Sequence, residues 1–132
     1  MIRRAALLLV LPFLFACPGL GDEEGGEVPE NPTWNDDVEG ILGANCIFCH
    51  VETPQNGAPD GFRFDIYVST SDDLGAFSMR CDIRNRAVLE NPSRMPPLSR
   101  PAISGLERAT LARWIEQGGV EFAGGPAGTP CN

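Results

Sequence analysis

Cys46-Ile47-Phe48-Cys49-His50 is the stretch on which the reading of this chain turns. Two thiols three positions apart, followed at once by an imidazole, form the C-x-x-C-H run of covalent haem attachment. At that spacing the thiols reach the two vinyl groups of one haem as thioethers, and the adjacent His presents its ring to the iron. Three other chemistries use parts of the same run. A redox dithiol wants its pair at a helix start in a βαβ setting, which this sequence lacks. A zinc site borrowing Cys81 wants a second ligand pair at spacing, whereas the other cysteines are single. The third is a plain disulfide beside an incidental His.

Upstream of the run, Trp34, Val38, Ile41 and Leu42 recur at helical spacing. Thr33 or Asn35 can cap that helix, and Asp36, Asp37 and Glu39 suit its positive end. Downstream, Val51 to Gly61 is turn chemistry, and Phe62, Phe64, Ile66 and Val68 then alternate. A short strand and an extended segment fit that alternation equally. Ser71 to Leu89 predicts one or two short helices, stopped by Asn91-Pro92. Four prolines between Pro92 and Pro101 make the next stretch an extended loop. Ser104-Gly105-Leu106-Glu107 reads as a capping box opening a helix through Leu111, Trp114 and Ile115, closed by Gly118-Gly119. Trp34 and Trp114 are expected in the core.

His50 is the only histidine, so a second histidine cannot ligate the same iron. The soft candidates are Met79 and Met95, with an open or water-bound iron as the alternative. Met95 stands in Arg94-Met95-Pro96-Pro97, where prolines stiffen the loop, while Met79 sits in a helical apolar pattern that suits a core gap-filler. Arg84, Arg86 and Arg94 are candidates for the haem propionates, because guanidinium matches carboxylate in a bidentate fork; ordinary surface pairing would serve them as well.

The front of the chain is an address. Arg3 and Arg4, the apolar run Ala5 to Phe15 and then Cys17 form a secretory signal. The run is 11 residues long, short of the roughly 20 that span a bilayer. Leu14-Phe15-Ala16-Cys17 resembles the lipobox of bacterial lipoproteins, which makes Cys17 the lipidated first residue and places the mature chain on the periplasmic side of a membrane. An ordinary secretory peptide would instead leave Cys17 a stray thiol. Cleavage there leaves eight cations, all Arg, against 18 acids, a net charge of −10. Such a chain lacks the basic footprint for nucleic acid. Of the five cysteines, Cys81 and Cys131 remain after lipid and haem are assigned, an even pair in an oxidising compartment. They are expected as a disulfide, or else as two free thiols.

The resulting organisation is a signal over 1–16, a flexible Gly/Pro/acid tether over 17–32, one domain over 33–122 and a tail over 123–132. A helix, C-x-x-C-H, a loop-rich middle, a Met-Pro-Pro loop 45 residues after His50 and a closing helix resemble class I c-type cytochromes. Arg94 to Pro97 followed by LERATLARWIEQGG is similar to the small cytochrome c modules of planctomycetes and myxobacteria. The resemblance implies an all-α fold with long loops around one covalent haem c, with Cys46 and Cys49 as anchors. It also implies His50 and Met95 as axial ligands, and a one-electron carrier that turns over no substrate. The chain has no lysine, unlike many such cytochromes that dock through a lysine-ringed face. Its acidity predicts redox partners with a basic docking face. The alternative is a haem protein that binds or activates CO, NO or peroxide at an open sixth position.

Overall fold

The computed structural model describes residues 26–89 and 91–131. The signal over 1–16 and the expected lipidation at Cys17 lie outside the described residues. A π-helical turn, Trp34–Val38, runs straight into α1 (Glu39–Asn45). Thr33 caps it: its hydroxyl accepts from the Asp36 N–H at 3.2 Å, and its own N–H donates to the Asp37 carboxylate at 2.9 Å. Trp34, Val38 and Leu42, four residues apart, are buried on the inner side.

α2 (Ala76–Ile83) continues as a second π turn, Arg84–Val88. It begins later than the apolar pattern suggests, because the Thr70 hydroxyl accepts from the N–H groups of Asp72 and Asp73 and holds them in a turn. Gly75 precedes α2 for a steric reason. A Cβ there would lie 2.5 Å from the Tyr67 carbonyl oxygen. The close approach lets the N–H groups of Ala76 and Phe77 reach the carbonyls of Ile66 and Tyr67.

α3 (Gly105–Glu116) carries the capping box: the Ser104 hydroxyl accepts from the Glu107 N–H at 3.1 Å, and the Glu107 carboxylate accepts from the Ser104 N–H at 2.8 Å. Gly118 and Gly119 end the helix at φ of 85° and 72°, values that favour glycine. Replacing Ser104 by Ala is expected to cost about 1 kcal/mol in denaturant unfolding, the usual worth of such a cap. Burial pushes the Glu107 carboxyl up, but hydrogen bonds from Ser104 and Asn45 outweigh it and hold the group below its usual range. A carboxyl whose folded pKa is depressed stabilises fully above its unfolded pKa, and that contribution is lost as pH falls through the folded value. Glu107→Gln should therefore flatten the acid limb of a stability–pH curve in that window and leave the neutral region's slope unchanged.

Among the described residues all regular structure is helical, with no strand, and long loops join the helices. The alternating segment is extended, joined to Leu74 by one isolated parallel bridge at Phe62. Its backbone partners are His50, Leu74 and the start of α2 rather than a second strand. Trp34 and Trp114 pack together, ring centroids 6.4 Å apart. The Val120 carbonyl accepts from both the Trp34 backbone N–H and the Trp114 indole N–H, each at 2.9 Å, tying the chain after α3 to the start of the domain. Leu42, Ile83, Ile103, Leu111 and Ile115 complete the core.

Both flanks lie against this core. Cys81 on α2 is bonded to Cys131, and the Arg80 guanidinium donates to the Thr129 carbonyl at 2.7 Å. Residues 26–32 carry a tether's composition, yet Pro32 is buried, and Arg113 of α3 and Gln117 just after it donate to the carbonyls of Val28, Pro29 and Glu30. Backbone acceptors, which composition does not count, hold this stretch in place. No helix of the described residues is long and apolar enough to cross a membrane.

Candidate functional site

α1 ends at Cys46, whose N–H donates to the Leu42 carbonyl at 2.8 Å. The Cys46 carbonyl then accepts from both Cys49 and His50, each at 3.1 Å, so the run folds into one tight turn. The Phe64 N–H donates to the His50 carbonyl at 3.1 Å, and the two rings lie 4.8 Å apart. In the proline loop, the Met95 N–H donates to the Arg86 carbonyl at 2.7 Å, and the Arg86 guanidinium donates to the Ser93 carbonyl at 3.2 Å. These bonds fasten the proline loop to the second π turn.

Cys46, Cys49, His50, Met79 and Met95 all line one cavity of about 560 Å³. Phe48, Phe62, Phe64, Leu74, Ile83, Ala87 and the three prolines Pro59, Pro96 and Pro97 make its walls apolar. A cavity of that size and character suits a cofactor-sized ligand with a few convergent polar groups. Both thioethers reach it by different routes: Met79 is 8% exposed on α2, and Met95 is 40% exposed on the loop. Neither Trp34 nor Trp114 lines it, in keeping with their place in the core.

The His50 Nδ1 is sealed from solvent and no group meets it in hydrogen-bonding geometry, which leaves Nε2 as the nitrogen available to the cavity. Burial lowers the ring's pKa, while the Phe62 backbone facing it acts the other way. A neutral imidazole is the form that binds a metal.

The competing chemistries fare differently against this geometry. Burial, and then the nearby Cys49 and Glu107, push the Cys46 thiol up to about 12, at the negative end of α1. A redox dithiol depends on the opposite, a thiolate favoured by a helix N-terminus or a cation. Cys46 and Cys49 are not bonded to each other, and Cys81 is committed to Cys131 and so cannot complete a zinc site. Among the described residues no three His, Cys, Asp or Glu side chains converge as a metal cage. The thiols, the imidazole and the thioethers instead suit a group that brings its own metal and its own reactive carbons, as haem does.

Of the three arginines considered for propionates, only Arg86 lines the cavity; Arg94 faces a small neighbouring cleft, and Arg84 lines neither. Arg100 and Asp82 line the cavity as well, and spacing gave no sign of either. The shared alternation of Phe62 and Phe64 was the available signal for that wall, since i and i+2 in an extended segment face the same way. Comparison of the chain with family models, with curated proteins and with solved structures returned no match.

Proposed function

We propose that this chain is a monohaem c-type cytochrome, an electron carrier tethered by lipid at Cys17 on the periplasmic side of a membrane. The observation that carries the reading is the convergence of Cys46, Cys49, His50 and Met95 on one apolar cavity. When bound, haem supplies a one-electron Fe(III)/Fe(II) couple. Cys46 and Cys49 would anchor it covalently, and His50 would ligate through Nε2. Met95 would be the second ligand to its iron, offered by a loop held by the Arg86 carbonyl and stiffened by Pro96 and Pro97. Arg86 serves a propionate through its guanidinium. Phe62 and Phe64 give the site an apolar wall, which would favour the less charged ferrous state. If His50 and Met95 both ligate the iron, no position would be left for a substrate.

The test is an absorption spectrum of the full chain matured by a cytochrome c assembly system, oxidised and reduced, with CO added to the reduced sample. A covalently held low-spin haem indifferent to CO is the expected result. A haem that binds CO at once would turn the reading to ligand binding or catalysis, and absence of covalent haem would refute the proposal.

A further inference from the structure

The chain enters the domain along α3. A Cβ on Gly26 would lie 2.5 Å from the Leu106 side chain, in the first turn of that helix. Further along, the Arg113 guanidinium donates to the Val28 and Pro29 carbonyls, and the Gln117 amide donates to the Glu30 carbonyl at 2.8 Å. Pro32 is then buried, and the Trp34 N–H donates to the Val120 carbonyl. Residues 26–34 therefore run beside α3 from its start to past its end, a length of roughly 18 Å at 1.5 Å per helical residue. Gly26, the first described residue, stands at the N-terminal end of the helix.

That end adjoins the attachment turn. Next to Leu106, the Glu107 carboxylate accepts from the Asn45 side-chain amide at 3.1 Å, and Asn45 and Cys46 both line the cavity. Ile103 and Arg108 line the small cleft beside it. The other end of α3 is turned away: among the described residues, nothing after Arg108 lines either opening. Eight residues, 18–25, lie between Cys17 and Gly26. The nine links they make, at no more than about 3.5 Å each, reach roughly 30 Å, about the width of a domain of this size. Without the bonds to α3, the same count to the buried Pro32 would allow roughly 50 Å.

We propose that the lipid anchor holds the cavity-bearing end of the domain against its own membrane, so that the protein exchanges electrons with a redox protein embedded in that membrane rather than with a soluble carrier. The inference rests on the cytochrome reading with lipid at Cys17, and adds the direction the cavity faces and the class of partner. A leash no longer than the domain is wide keeps its point of exit nearest the bilayer. Partners confined to one surface then meet at raised effective concentration.

Two measurements on the lipidated full chain in liposomes test it. In the first, the reduced holoprotein gives one electron to a ferrocenium group carried on a lipid headgroup, which becomes ferrocene and leaves the protein's iron as Fe(III). Inserting about sixteen Gly/Ser residues between positions 25 and 26 should slow this exchange roughly fivefold, because effective concentration falls as about the −3/2 power of tether length. Arg113→Ala/Gln117→Ala, which frees residues 26–31, should slow it about twofold on the same scaling. Both variants should keep the wild-type rate with ferricyanide in solution. An exchange rate indifferent to the insertion would overturn the proposal. The second readout needs no haem: a spin label on Gly105→Cys, exposed at the start of α3, should be relaxed faster by a nickel-chelating lipid than one on Ala123→Cys, exposed beyond its end. Equal or reversed relaxation would overturn it too. A chain that does not float with liposomes lacks the anchor and overturns this inference, leaving the haem site untouched. One that floats without haem fails the cytochrome reading instead, and the labels then judge the orientation alone.

Discussion

Met95→Ala is expected, on the proposed haem reading, to make the reduced protein bind CO within the mixing time and to lower its reduction potential by on the order of 100 mV, part of the roughly 0.8 V that axial ligands span. A thioether is a soft ligand that favours the ferrous state, so its loss both vacates a position and removes that preference. The substitution is clean for a structural reason. Met95 is pinned to the Arg86 carbonyl through its backbone N–H, which alanine keeps, and Pro96 and Pro97 continue to stiffen the loop. The loop should therefore stay in place while the sulfur is lost. Met79→Ala is the companion variant, because Met79 lines the same cavity from α2. If Met95→Ala keeps its spectrum and potential while Met79→Ala changes both, the sixth ligand belongs to the helix and the assignment of Met95 is wrong.

The second large effect concerns the tail. Cys131→Ser should lower stability by about 4 kcal/mol, the loop-closure entropy of a crosslink spanning 50 residues. Small domains have only about 5–15 kcal/mol in total, and at 4–8 °C per kcal/mol the melting temperature should drop by about 20 °C. The bonds from Arg80 to Thr129 and from Gly128 to Gly118 remain, but they hold a segment that the unfolded chain is then free to release. Thermal melting followed by circular dichroism, with and without reductant, checks this. The wild type in reductant should melt with the variant, and a reductant-insensitive wild type would show that the crosslink contributes little.

What could be read from spacing is what the chain accomplishes within a few residues. The C-x-x-C-H run closes into a turn through bonds from Cys49 and His50 to Cys46, all inside five positions. The capping box at Ser104 needs four residues and forms as its pattern predicts. The apolar spacing of Trp34, Val38 and Leu42 likewise suffices for a helix with one buried face. Counting cysteines pointed to Cys81 and Cys131, and they are bonded. Alternation at Phe62 to Val68 could not distinguish strand from extended segment, because that depends on the backbone groups lying alongside, and here they come from the His50 turn and α2.

The sequence by itself thus determined the helices, the attachment-type run, the two candidate thioethers and the cysteine pairing, since each follows from local bonding rules or from simple counting. Only the tertiary structure decided that Met79 and Met95 both reach the cavity, that Arg86 and Arg100 rather than Arg84 and Arg94 line it, and that residues 28–30 are bonded to Arg113 and Gln117. Those placements depend on how proline-rich loops return to the helices. That return is set by bonds between distant residues, such as Arg113 to the Pro29 carbonyl and Cys81 to Cys131, whose partners no local pattern names.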